Sequence, residues 1–202
     1  MIFDHLAVAG ATLEVATAHV EEALGVALQP GGAHAVFHTH NNLLGLADGL
    51  YLEAIAINPA APTPTRPRWF DLDRFEGPAR LTNWICACDD IEALRAALPQ
   101  ETGAPVDLMR GDLRWRMAVP QTGILPYDNC WPALIEWQTA SHPATRLNDK
   151  GVGLRHLIVS HPQADQLRTD LAAFLNDGRV SFEVGAPGLS AEFDTPHGRR
   201  SL

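Results

Sequence analysis

The chain has 202 residues, 46% hydrophobic and 19% charged, an ordinary globular composition with room for one large domain or two small ones. A formal net charge of −9 argues against a nucleic-acid partner, because a phosphate backbone would be repelled overall. The opening residues MIFDHLAVAG lack the basic start and apolar run of a signal peptide, and no stretch approaches the ~20 apolar residues that span a bilayer. The cysteines, Cys86, Cys88 and Cys130, are odd in number and come with no export signal. The expectation is reduced thiols in a cytoplasmic protein that has no membrane partner.

In chain order, DHLAVAG reads as a strand. A helical pattern follows at Leu13, Ala16, Val20, Ala23 and Leu24, with Thr12 as N-cap and Gly25 as stop. Pro30, Gly31 and Gly32 read as a turn, Ala35 to Thr39 as a strand, and LLGLADGLYLEAIAI as a hairpin turning on Asp48-Gly49. A Pro-rich connection, residues 61–79, carries Trp69, Phe70 and Phe75, which predict that it packs rather than floats. The strand TNWICAC then leads into a helix at Ile91, Leu94 and Leu98, capped by Asp90 and followed by the strands LRWRMAV and ALIEW. After a linker at 141–150, RHLIVSH leads through Pro162 into Leu167, Leu171, Phe174 and Leu175. Then come VSFEV, a Gly185/Pro187/Gly188 turn and LSAEFD.

The chain therefore repeats. His5, Asn83 and His156 each stand in a strand eight residues before the matched helix positions Leu13, Ile91 and Ala164. Each unit closes on a strand bearing a glutamate: Glu53, Glu136 and Glu192. The predicted fold class is α+β: βαβββ modules over residues 1–60 and 80–140, forming curled mixed sheets with outer helices, and a shorter βαββ unit over 151–202.

DHLAVAG, the run GVALQPGGAHAVFHTHNNLLGL with its Gly-Gly-x-His and Thr-x-Asn elements, YLEAIAI, RLTNWICACDD, RGDLRWRMAVP and PALIEWQ together resemble the glyoxalase-like branch of the vicinal-oxygen-chelate superfamily. That resemblance implies paired modules curled around a site where first and last strands supply ligands to a divalent metal. Carried over by position, the ligands are His5, Glu53 and Glu136, with Asn83 as a weak fourth where a second histidine is common. His156 and Glu192 form an alternative pair, and adjacent modules one and two are the favoured partners. Such a set holds Mg, Mn, Fe, Ni or Zn weakly. The implied function is metal-assisted lyase, isomerase or dioxygenase chemistry on a small oxygen-chelating substrate, with Glu53 or Glu136 as base. The alternative, which the missing histidine favours, is a metal-free small-molecule binding protein of the same fold. A homodimer is compatible with either.

His34 and Asn41 are read as residues that fix loops by hydrogen bonds or touch ligand, and His38 and His40 as sharing a strand face. In LRWRMAV, Arg114 and Arg116 alternate with Trp115 and Met117. One face is thus cationic and the other apolar, and the cationic face is a candidate clamp for an anionic substrate. Trp84 and Trp137 are assigned to the core. No Gly-rich nucleotide loop or Ser nucleophile elbow is present.

Overall fold

The periodicities resolve into twelve strands and three α-helices in a computed structural model that describes residues 1–202. Module one runs β1 (Ile2–Ala9), α1 (Leu13–Leu24), β2 (Gln29–His34), β3 (Thr39–Gly45) and β4 (Tyr51–Ile57). Module two runs β5 (Arg80–Ala87), α2 (Ile91–Ala97), β6 (Ala104–Arg110), β7 (Leu113–Val119) and β8 (Ala133–Trp137). Both helix starts are capped as expected: Val15 N donates to Thr12 Oγ1, and Ala93 N donates to the Asp90 carboxylate. Gly25 ends α1 in the left-handed region at φ 74°. No helix is long and apolar enough to cross a membrane.

Modules one and two share one eight-stranded sheet, ordered β2-β3-β4-β1-β5-β8-β7-β6. Each module returns its last strand parallel to its first, and β1 meets β5 antiparallel at the seam between them. Seven of the eight residues of β1 are buried, because a strand covered on both faces reads as an apolar run. The sheet curls until its edge strands approach, and Arg110 at the end of β6 reaches His34 and Asn41 on the other edge.

Three local expectations change. Residues 30–32 are extended within β2, not a turn; β2 is an edge strand, where proline is tolerated, and it bulges between Pro30 and Gly32. The turn falls instead at 35–38, with His38 left-handed at φ 51°, so His38 and His40 do not share a strand face. Strand β6, the third that the βαβββ pattern requires after α2, was not located in the sequence, because its half-exposed edge sequence APVDLMR shows no clean alternation.

The third unit comprises β9 (Gly153–Ser160), α3 (Ala164–Leu171), β10 (Val180–Glu183), β11 (Gly188–Thr195) and β12 (Gly198–Ser201). It has one strand more than the βαββ unit expected, since the fully exposed GRRS carries no apolar signal. Its wiring also differs. Here β10, the strand after the helix, lies parallel to β9, and β11 pairs antiparallel, giving a separate sheet β10-β9-β11-β12. His156 and Glu192 are therefore cross-strand partners in that second sheet. His156 shares a hydrogen bond with Ser181 Oγ at 2.7 Å, and neither residue lines the cavity that holds His5.

The Pro-rich connection packs, as its aromatics predicted. A 3₁₀ segment, Trp69–Arg74, buries Trp69, Phe70 and Leu72, and Trp69 stacks on Phe37 at 4.3 Å and on Phe70 at 5.1 Å. This segment leans on the loop after β7. Asp71 N donates to Gly123 O, and a Cβ on Gly123 would stand 1.8 Å from Arg68 O. Gly123 is also left-handed at φ 76°. Gly123→Ala is expected to cost ~2–4 kcal/mol in urea unfolding, through strain and collision together; an unchanged midpoint would contradict this packing.

Candidate functional site

Where the two modules curl together, a narrow cavity holds His5, His34, Asn41, Tyr51, Glu53 and Arg110, walled by Trp69, Phe70, Trp115, Met117, Ile135 and Trp137. Larger recesses exist, including one of about 830 Å³ beside the 141–153 linker, but His142 is the only imidazole lining it and no arginine or lysine does. The polar groups of the narrow cavity come from module one and from the tip of β6; the rest of the module-two wall is apolar.

His5 is 4% exposed and stacks on Tyr51 at 4.2 Å. Its Nδ1 meets the Asp4 carboxylate, which also accepts from Trp137 Nε1 at 3.0 Å and His142 Nε2 at 3.1 Å. Burial works to raise the Asp4 pKa. The hydrogen bonds from His142 and His5, with the Coulombic pull those two rings exert when protonated, outweigh it and hold the carboxyl well below its usual range. An ionised Asp4 accepts a proton-bearing Nδ1, so His5 turns Nε2 into the cavity, 3.8 Å from Glu53 Oε1. Burial, with Asp4 and Glu53 nearby, pushes the Tyr51 hydroxyl well above its usual range.

Asn41 is the hub. Its Nδ2 donates to Glu53 Oε2 at 2.6 Å, and its Oδ1 accepts from Gly32 N and from Arg110, both at 3.1 Å. His34 Nε2 faces the same guanidinium at 3.3 Å, and its Nδ1 bonds Thr39 Oγ1 at 2.9 Å. Since arginine only donates, His34 Nε2 accepts and the ring is neutral. Burial, then the charge of Arg110, pushes the His34 pKa down to about 3. The two glycines of the motif make room: a Cβ on Gly31 would lie 2.2 Å from Asn41 Oδ1, and one on Gly32 2.8 Å from Arg110 Cδ.

The structure brings together His5, Glu53, His34 and Asn41 but not the others. Glu136 lies on the outer face, where it accepts from Ile91 N at the start of α2 at 2.9 Å and stands 3.7 Å from Arg116. The reason is register: β8 turns Ile135 and Trp137 inward, so Glu136 between them must turn out. The same alternation puts Trp115 and Met117 inside. Arg116 is outside among Glu92, Asp107 and Glu136, and Arg114 is exposed and bonded to the Gly111 and Leu113 carbonyls. Asn83 is buried with its Oδ1 accepting from Asn129 at 3.3 Å, and it does not line the cavity. Arg110, which sequence reasoning passed over, is the cation of the site; its one signal was its place at a hairpin end before Gly111.

These groups do not fit a divalent metal. His5 Nε2 and Glu53 Oε1 could offer two donors. The second Glu53 oxygen is held by Asn41, His34 Nε2 by Arg110, and module two offers no ligand. No three His, Cys, Asp or Glu groups stand at metal-binding spacing, and a guanidinium in the same cavity opposes a dication.

With about 20 Å³ inside, the cavity accommodates little more than one water. Trp69 and Phe70 form part of its wall. Phe70 and Asp71 are both left-handed, at φ 60° and 56°, a costly conformation for a bulky residue. Behind Phe70 lies a second cavity of about 250 Å³, lined also by Leu81, Asn129 and Leu189. Asn129, itself left-handed, donates to Phe70 O at 3.4 Å.

A sequence profile described as Glyoxalase-like domain matches residues 3–175. The chain belongs to this glyoxalase-like domain family, within the vicinal-oxygen-chelate superfamily. Among solved structures, a hypothetical protein from Staphylococcus aureus matches this glyoxalase-like chain with TM-score 0.65 at 16% identity, over 92% of this chain and 87% of that one. Methylmalonyl-CoA epimerase from Mycobacterium tuberculosis matches with TM-score 0.41 at 15% identity, over 69% of this chain and 88% of that one. The Streptomyces coelicolor methylmalonyl-CoA epimerase E43L variant, in complex with 2-nitronate-propionyl-CoA, gives 0.44 at 15%, over 71% and 99%. A search of curated proteins returns no significant match. At these identities the first of the three structures speaks for the fold alone, and the epimerases add no argument.

The neutral His34 sets a pH dependence for this glyoxalase-like fold. Unfolded, the ring takes a proton below its ordinary 6.5; folded, it resists down to about 3. Stability therefore falls as pH drops through that window, by up to ~1.4 kcal/mol per unit. His34→Gln should flatten the fall of the urea midpoint between neutral and mildly acidic pH, and an equally steep fall would assign it elsewhere.

Proposed function

We propose that this chain carries a metal-independent small-molecule site in which His5 and Glu53 move a proton. One observation carries the reading: a buried imidazole, held at Nδ1 by the Asp4 carboxylate, turns Nε2 toward Glu53 in a cavity whose other ionisable members are His34, Tyr51 and the cation Arg110. An imidazole fixed in tautomer and orientation by a carboxylate is suited to take and return a proton. Glu53, held by Asn41, faces the same nitrogen and can accept a proton or stabilise the imidazolium that forms. The aromatic and aliphatic walls exclude water and strengthen each of these interactions. A ligand larger than water requires the walls, Trp69 and Phe70 among them, to shift. The donor set is the argument against the metal-assisted lyase, isomerase or dioxygenase reading. The metal-free binding protein remains the second reading, favoured by the narrow, aromatic-lined cavity.

The test is proton exchange in deuterated water. The protein is incubated with a panel of small oxo and hydroxy compounds, with and without a chelator, and carbon-bound deuterium is followed by NMR. Exchange is expected on at least one compound, unaffected by the chelator and at least ~100-fold slower in His5→Gln, the scale of lost acid–base catalysis. Exchange that needs added Mg²⁺ or Mn²⁺ would restore the metal reading. Saturable binding with no exchange would leave the sequestering protein.

A further inference from the structure

Arg110 shares the cavity with Glu53 but does not pair with it. We infer that the ligand of this site carries a carboxylate and that Arg110 binds it. The inference rests on the proposed proton-transfer reading only for where the rest of the ligand lies. Arg110 is the last residue of β6, and its stem passes over Gly32, where a Cβ would stand 2.8 Å from its Cδ. A side chain at position 32 would push the stem aside from this path.

What the guanidinium meets there is incomplete. Its NH1 donates to two neutral acceptors, Asn41 Oδ1 at 3.1 Å and His34 Nε2 at 3.3 Å. No carboxylate oxygen lies within 4.0 Å of it; other arginines, Arg66 and Arg114 among them, also lack an acidic partner, but Arg110 is the one that lines this cavity. The Asn41 amide stands between the two charges, taking Arg110 on its oxygen and Glu53 on its nitrogen. A half-buried cation facing neutral acceptors is under-compensated, and an anion that enters restores the balance. The remaining NH2 and Nε donors form a planar fork, the geometry that receives a carboxylate side-on. The small cavity volume, about 20 Å³, favours a compact planar carboxylate over a bulkier tetrahedral phosphate. With its carboxylate on Arg110, a ligand places its adjacent atoms toward Glu53 and His5, so the group that loses the proton is next to the acid.

The probes are acetate and lactate, their neutral amides acetamide and lactamide, and inorganic phosphate, compared at equal ionic strength by NMR titration and thermal shift. The acids should bind saturably below ~50 mM and raise the melting temperature, the amides and phosphate at least roughly tenfold more weakly, as expected for loss of a charged hydrogen-bonded pair. Arg110→Gln removes the charge and the guanidinium fork, and should weaken acid binding by roughly ten- to a hundredfold; Arg110→Lys should fall between. Acids that bind no better than amides, acids that do not saturate, or a folded Arg110→Gln with unchanged affinity would overturn the inference. Tighter binding of phosphate would overturn its choice of a carboxylate. If the variants fail to fold, the acid-against-amide comparison on the unaltered protein still decides. His5→Gln separates the two proposals. It should slow deuterium exchange at least ~100-fold while the acids still bind more tightly than their amides; acid binding without exchange in the unaltered protein defeats the proton-transfer reading alone, and exchange on neutral compounds without acid binding defeats this inference alone.

Discussion

The side-chain amide of Asn41 is the interaction on which the site depends. It is 4% exposed, and it ties four strands: its own β3, the Gly32 N–H of β2, Glu53 of β4 and Arg110 of β6. The two edges of the curled sheet meet there. Without that amide the Glu53 carboxyl would lose its 2.6 Å donor and Arg110 one of its two acceptors, leaving buried polar groups unmatched on both sides. The Gly-Gly-x-His and Thr-x-Asn elements form one device around it. Gly31 clears the Asn41 oxygen, Gly32 clears the Arg110 stem, and Thr39 orients His34.

The two halves of the barrel then divide the work. Module one supplies His5, His34, Asn41, Tyr51 and Glu53; module two supplies walls and one cation. The connection between them supplies two further wall residues, Trp69 and Phe70, on a backbone that turns left-handed at Phe70 and Asp71. Backbone strain of this kind persists only where surrounding packing enforces it, and here it is enforced by Phe37, Gly123 and Asn129. A wall segment held by stacking and a few loop hydrogen bonds, rather than by a strand ladder, is the part of the cavity lining that yields most cheaply.

The sequence made the modules legible because helix period, caps and strand runs all agree within each, and the convergence of His5 and Glu53 followed from matching first and last strands. The second glutamate misled because residue type was aligned without register. Across β1 and β4, Ala7 faces Glu53; across β5 and β8, Ile85 faces Ala133 and Ala87 faces Ile135. Glu136 is an odd number of residues from either, hence on the opposite face. The arginines of LRWRMAV failed for a related reason, since alternation separates two faces without saying which is inward. Arg110 was hidden because an edge strand with little burial gives no pattern, and its role depends on a partner 69 residues away. The third unit matched in element order but not in wiring, which depends on whether β10 or a later strand takes the place beside β9. Local periodicity carries no information on that choice.

The central claim is that His5 presents a free Nε2 to a cavity that holds no place for a metal. Side-chain nitrogen NMR on uniformly ¹⁵N-labelled protein at mildly alkaline pH reads this directly, with His5 assigned by comparison with His5→Gln. The account predicts that His5 carries its proton on Nδ1, toward Asp4, and that neither of its nitrogen shifts moves when Zn²⁺ or Mn²⁺ is added. A proton on Nε2 with Nδ1 bare, or a metal-induced change at Nε2, would contradict it.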